Sequence, residues 1–107
     1  MLLKDLKKDD SFFIATFSVK ENIEGKGFKG ILEKFIVLNN DKKIVTFKHE
    51  KRDEAHSLVC EQSDNQDKIN EFHKMNEDRY TGFFMTMEDF SSSFYEWQKR
   101  NIHSNGH

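Results

Sequence analysis

The sequence predicts an α+β fold, a small antiparallel β-meander of three or four strands followed by two helices packed on one face. Two apolar runs, residues 31–38 and 44–47, flank a polar turn and are typical of a hairpin. The segment before them alternates apolar and polar residues, and the second half shows apolar residues at helical spacing. An OB-like β-barrel is the alternative, because strands followed by a helix and a further strand also suit that fold.

The chain has 107 residues, the size of one domain with one core. We expect a β-rich part over residues 11–61, a helical part over residues 64–101 and a frayed tail over residues 102–107. Eleven Phe within a hydrophobic fraction of 36% indicate a small core that is rich in aromatic side chains. The single cysteine, Cys60, permits no internal disulfide and looks like a buried small apolar residue.

The first half of the chain is predicted to supply the sheet. Apolar residues alternate with polar ones over residues 11–20, which predicts the first strand. Residues 31–38 are apolar on both faces and predict a central strand. The register of its hairpin partner is open, because a two-residue turn places Val37 opposite Ile44 and a longer loop places it opposite Val45.

Two shorter segments complete this half. Leu2, Leu3 and Leu6 are expected to form one helical turn that closes an end of the core. Residues 56–61 are short and apolar, which favours a strand at an edge of the sheet.

Residues 64–79 are predicted as the first helix. Ile69, Phe72 and Met75 recur three residues apart and would form a narrow apolar face. Residues 80–85 then form a last strand or an extended connector.

The second helix is predicted from a cap at Thr86 to about residue 101. Phe90, Phe94 and Trp97 recur as a stripe along it, which we name the aromatic stripe. We expect the stripe to be core, and a homodimer contact is its alternative use.

The charge is nearly balanced overall but unevenly distributed. The net charge of −2 argues against a uniformly basic nucleic-acid binder. Residues 1–52 hold 12 Lys and Arg against 8 Asp and Glu, whereas residues 53–89 hold 3 against 10. The second segment predicts an acidic face that would attract a partner protein with a basic surface. Its candidate residues are Glu71, Glu77, Asp78, Glu88 and Asp89.

A loop rich in lysine and glycine over residues 20–30 predicts the alternative function. Glycines let the backbone approach phosphate, lysines neutralise it, and an exposed aromatic ring stacks on a base. Single-stranded nucleic acid is the expected ligand of such a loop. Its candidate residues are Lys20, Lys26, Phe28 and Lys29. The alternative to nucleic-acid binding is a purely structural role, in which this loop is a flexible connection and the Phe28 side chain packs in the core.

No catalytic, cofactor or metal motif stands out. His49 and His56 lie seven residues apart with a charged turn between them, unlike the two histidines of a zinc-binding HExxH helix. Whether this pair, or His103 and His107 near the end of the chain, binds a metal is open. Because no catalytic or cofactor motif stands out, we expect no enzyme activity and no cofactor.

The sequence shows neither the apolar core of a signal peptide at its start nor an apolar run of about 18 residues that would span a membrane. Together with the single cysteine, this predicts a cytoplasmic protein. The absence of Pro and the abundance of Lys, Asn, Ile and Phe suggest an AT-rich genome, such as that of a low-GC bacterium, a virus or a mobile element. We expect a small non-enzymatic inhibitor or adaptor, encoded by a phage or mobile element, that binds a host nucleic-acid-handling protein.

Overall fold

A computed structural model describes residues 2–23, 27–60 and 68–101 of the chain. Six strands form one antiparallel sheet. They are β1 (Ser11–Ile23), β2 (Gly27–Asn40), β3 (Ile44–His49), β4 (Ala55–Val59), β5 (Glu71–Lys74) and β6 (Arg79–Phe84). The described residues also contain one α-helix, α1 (Met87–Asn101), and a 3-10 turn (Leu3–Asp5). No helix in these ranges is long and apolar enough to cross a bilayer.

The sheet curls into a half-barrel, with the strands in the order β4-β3-β2-β1-β6-β5. The curl is evident at Phe12 on β1, whose ring centroid lies 5.4 Å from that of Phe47 on β3. Strands two places apart in a flat sheet are separated by roughly 10 Å. We call the face that carries Phe12 the inner face and the opposite one the outer face.

The predicted meander with two helices is wrong, because the sheet has six strands and the predicted first helix is absent from the described residues. Residues 64–67 lie outside those residues, and β5 and β6 form a hairpin in which Phe72 is opposite Gly82. The three apolar residues of the predicted helix face are not buried together. Ile69 is buried in the inner core, Phe72 lies on the outer face and Met75 is exposed. The OB-like alternative fits in part, since the sheet curls, but the helix follows the last strand.

Several other elements are confirmed. β1 begins at Ser11 as predicted, β2 lies inside the sheet, β4 is an edge strand and residues 80–85 largely form β6. The backbone N–H of Asp89 donates to Thr86 Oγ1 at 3.0 Å, which confirms the cap of α1. The loop predicted over residues 20–30 is shorter than expected, because β1 and β2 extend into it.

The register of β2 and β3 matches neither predicted alternative. Val37 lies opposite Phe47, and the pairing shifts by one residue before Asn39, which marks a β-bulge. The turn after the bulge is closed by Asp41, whose Oδ1 accepts the backbone N–H groups of Lys43 and Ile44. The bulge and this turn together determine the register.

The inner face holds the larger core, which is covered by residues 2–10, the lead-in before β1. Leu3 and Leu6 are buried there, which confirms the prediction that this segment closes an end of the core. The side chain of Asn40 at the end of β2 donates to the carbonyls of Lys4 and Leu6 at 2.8 and 2.6 Å. The other buried members of this core are Phe12, Phe35, Val37, Val45, Phe47, Cys60, Ile69 and Phe83.

The outer face of β1, β6 and β5 holds a second, aromatic core beneath α1. The ring centroid of Phe17 lies 5.2 Å from Phe72, 5.2 Å from Phe94 and 4.8 Å from Trp97. Phe90 stacks against Phe94 in the next turn of the helix. The aromatic stripe therefore packs on the sheet within one chain, as the core interpretation predicted.

Replacing Phe12 by alanine tests the inner core. Phe12 is 0% exposed and its ring contacts Phe35, Phe47 and Phe83, so we expect Phe12→Ala to lower the free energy of unfolding by about 3–5 kcal/mol. The neighbouring Phe13 is only partly buried and faces the other side, so Phe13→Ala is expected to cost clearly less. Urea denaturation of both variants measures the difference, and equal losses would contradict the division of the two faces.

A second prediction concerns pH and the β2–β3 turn. The backbone N–H groups of Ile44 and Lys43 hold the pKa of Asp41 below its ordinary value of 3.8. A lowered pKa stabilises the fold above the ordinary value, and this contribution is lost as pH falls through the lowered one. Asp41→Asn keeps an acceptor oxygen but cannot titrate. Its unfolding free energy should therefore fall less steeply than that of the unchanged protein below about pH 4.

Candidate functional site

The five predicted acidic residues lie in two groups at opposite ends of the β5–β6 hairpin. Glu71 begins β5, and Glu88 and Asp89 lie in the first turn of α1, which follows the end of β6. Glu77 and Asp78 lie in the β5–β6 turn at the other end of this hairpin. β6 has six residues, so roughly 20 Å separates the two groups.

Part of the acidic character has a structural explanation. Glu88 and Asp89 lie at the N-terminal end of α1, and Lys99 and Arg100 lie at its C-terminal end, where each sign favours the helix dipole. Residues 68–101 carry six acidic and five basic side chains. The excess of acidic residues counted over residues 53–89 therefore belongs largely to residues 53–67. Residues 61–67 of that segment lie outside the described ranges.

A groove lies between β5 and α1 and has a volume of about 370 Å³. Charged, polar and aromatic residues line it together. We name it the β5–α1 groove. Glu71 lines it from the strand and Glu96 from the helix, and Arg100 lines it further along α1. The buried ring of Trp97 and the half-buried ring of Phe72 supply its apolar surface. The remaining lining residues are Asn70, Ser92 and Ser93.

Asn70 holds the strand and the helix of this groove together. Its backbone N–H donates to the carbonyl of Phe83 at 2.6 Å, and its Oδ1 accepts the N–H of Met85 at 3.3 Å. Its carbonyl accepts the hydroxyl of Ser93 at 3.0 Å. Asn70 has a φ of 66°, a left-handed conformation that asparagine tolerates better than most residues.

The sequence predicted Glu71 but not Glu96. Ser92, Ser93 and Glu96 recur at helical spacing, and this is the pattern from which their position on one side of α1 could have been predicted. These residues share a groove with Glu71 because residues 71–74 form the strand β5. The sequence predicts a helix there.

The lysine- and glycine-rich segment is mainly a pair of strand ends. Lys26 lies outside the described residues, Lys20 lies in β1, and Phe28 and Lys29 lie in β2, with Phe28 opposite Asn22. At the last residue of this segment, a Cβ on Gly30 would lie 2.7 Å from the carbonyl oxygen of Thr16. Gly30 is therefore explained by the close approach of β1 and β2.

His49 has both ring nitrogens engaged within the chain. Its Nδ1 accepts the backbone N–H of Lys51 at 3.0 Å, so Nε2 carries a proton and donates to Glu33 Oε2 at 3.1 Å. Arg52 lies 3.6 Å from the same carboxylate oxygen. Neither nitrogen is left to coordinate a metal or to accept a proton from a substrate, and this indicates a structural role.

The other candidate ligands do not join His49. The ring of His56 lies 6.0 Å from that of Phe47, and Cys60 is buried in the inner core, as predicted for an apolar residue. Within residues 2–23, 27–60 and 68–101, no three His, Cys, Asp or Glu side chains are grouped to hold a metal ion. His103 and His107 lie outside these ranges.

Gly30→Ala tests whether the close approach of β1 and β2 requires a glycine at this position. The added methyl group would collide with the backbone of β1, and we expect a loss of about 1–3 kcal/mol in unfolding free energy. The adjacent Ile31 is 64% exposed, so Ile31→Ala should change stability by about 0.5 kcal/mol or less. Thermal or urea denaturation compares them. A neutral Gly30→Ala would show that β1 and β2 do not approach closely here.

Comparison with known proteins adds no relationship: no protein-family model, no curated protein and no solved structure matches the chain.

Proposed function

We propose that the chain is a non-enzymatic protein-binding module of the inhibitor or adaptor type, which receives a basic side chain of its partner in the β5–α1 groove. The observation that carries the proposal is that Glu71 and Glu96 line the same groove as the rings of Phe72 and Trp97. Carboxylates form charge-assisted hydrogen bonds with Lys and Arg, and aromatic rings attract the same cations.

The size and charge of the groove limit what enters it. A volume of about 370 Å³ suits one or two side chains rather than a folded peptide. Arg100 would repel a cation placed beside it, so the basic side chain is expected near Ser92 and Ser93. Their hydroxyls supply further acceptors for an ammonium or guanidinium group.

The remaining predicted acidic residues act at longer range in this proposal. Glu77 and Asp78 in the hairpin turn, with Glu88 and Asp89, would attract a basic surface and raise the association rate at low salt. Proteins that handle nucleic acids present such basic surfaces to phosphates. The concrete form of the proposal is an inhibitor, encoded by a phage or mobile element, of one of these host proteins.

Charge reversal in the groove tests the proposal. Tagged protein is used to capture partners from a nuclease-treated lysate of the source cell, and the captured proteins are quantified by mass spectrometry. We expect Glu71→Lys with Glu96→Lys to reduce capture at least about ten-fold, because two attractive charges become repulsive. The matched control is Asp53→Lys with Glu54→Lys, which makes the same charge change in the exposed β3–β4 connection.

Any of three results would contradict the proposal. One is equal capture by the groove variant and the control, and another is capture that rising salt does not weaken. The third is binding of labelled single-stranded DNA or RNA by the purified protein at low salt, lost in Lys26→Ala with Lys29→Ala. That result would support the nucleic-acid alternative instead.

A further inference from the structure

The two edges of the sheet differ in how they are protected against pairing with another strand. β5 carries Glu71 and Lys74 at its ends, and α1 packs beside it through Phe72. β4, with the sequence Ala-His-Ser-Leu-Val, has neither a charged residue nor a bulge. Charged side chains and bulges are the usual protection of an edge. No strand of the described residues pairs with the outer side of β4.

The backbone of β4 presents its free groups at alternate residues. The N–H of Cys60 donates to the carbonyl of Lys43 on β3 at 2.8 Å. Because the direction of backbone groups alternates along a strand, Leu58 and His56 also bond towards β3. The N–H and C=O groups of Ala55, Ser57 and Val59 therefore point away from the sheet.

These outward groups match a second β4 strand running in the opposite direction about Ser57. Ser57 then faces the partner's Ser57, and Ala55 faces the partner's Val59, each pair exchanging two N–H···O bonds. In this register every outward donor of one strand meets an outward acceptor of the other. A register shifted by one residue would not achieve this.

The side chains agree with the same register. On the outer face, Thr46 and Ser57 share a hydrogen bond at 3.2 Å, and this hydroxyl pair would continue into the partner's pair. The neighbouring pair, Ile44 and Val59, is 39% and 54% exposed, and Val59 would gain contact with the partner's Ala55. On the inner face, His56 would lie beside the partner's Leu58. No charged side chain of one β4 meets one of the other.

We propose that two copies of the chain associate through β4, so that their two sheets become one continuous antiparallel sheet. This contact differs from the aromatic stripe, which packs within each chain. It is also independent of the proposed function, because the β5–α1 groove lies at the opposite edge of the sheet.

Analytical ultracentrifugation of the purified full chain, from about 10 µM to 1 mM, tests the proposal. The expected result is a reversible rise from the chain mass of 12.7 kDa to twice that value. Ser57→Pro removes an outward N–H without removing a bond to β3, and Ser57→Lys sets like charges against each other at the twofold axis. Each should weaken dimerisation at least about ten-fold. Ser91→Lys, an equal change at an exposed position of α1, should leave it unchanged.

Amide hydrogen exchange locates the contact without any substitution. Raising the protein concentration should slow exchange at Ala55, Ser57 and Val59, while His56 and Leu58 stay protected throughout. A chain that remains monomeric at about 1 mM, a dimer that tolerates both Ser57 variants, or concentration-dependent protection elsewhere would each overturn the proposal. A monomer whose β4 amides become protected only by an added extended peptide would show that the edge serves a different occupant.

Discussion

The fold depends on β1, which carries aromatic side chains on both faces and pairs with a strand on either side. Phe12 points to the inner face and Phe17 to the outer face, so a slip of one residue would exchange the two cores. The lead-in, β2 to β4 and Phe83 of β6 enclose Phe12. The outer side of the β5–β6 hairpin and α1 enclose Phe17. The β5–α1 groove follows from this arrangement, because Phe72 and Trp97 both pack on Phe17.

The parts of the fold that the sequence predicts are those with a local physical signal. Alternation marks β1, apolar residues on both faces mark β2, and a hydroxyl three residues before Asp89 marks the start of α1. The interval of Ile69, Phe72 and Met75 suits a helix as well as a strand that bends at Asn70, and only pairing with β6 decides between them. The β2–β3 register was unpredictable because a bulge after Val37 shifts it.

The candidate site shows the same division between local and tertiary information. The charge of Glu71 was visible in the sequence, but its place in the same groove as Glu96 depends on β5 and α1 lying side by side. His49 illustrates the opposite case. Its residue type allowed a ligand or a base, and only its contacts with Glu33 and Lys51 show that both nitrogens are occupied. The candidate site in this chain is therefore a surface between two elements rather than a sequence motif.

Proton–proton NOEs among the aromatic rings of a carbon-13-labelled sample test most directly whether one sheet separates two cores. We expect NOEs from Phe12 to Phe35 and Phe47, and from Phe17 to Phe72 and Trp97, with none between the two groups. NOEs between Phe12 and Trp97, or helical amide–amide NOEs through residues 68–79, would contradict a single sheet that separates two cores.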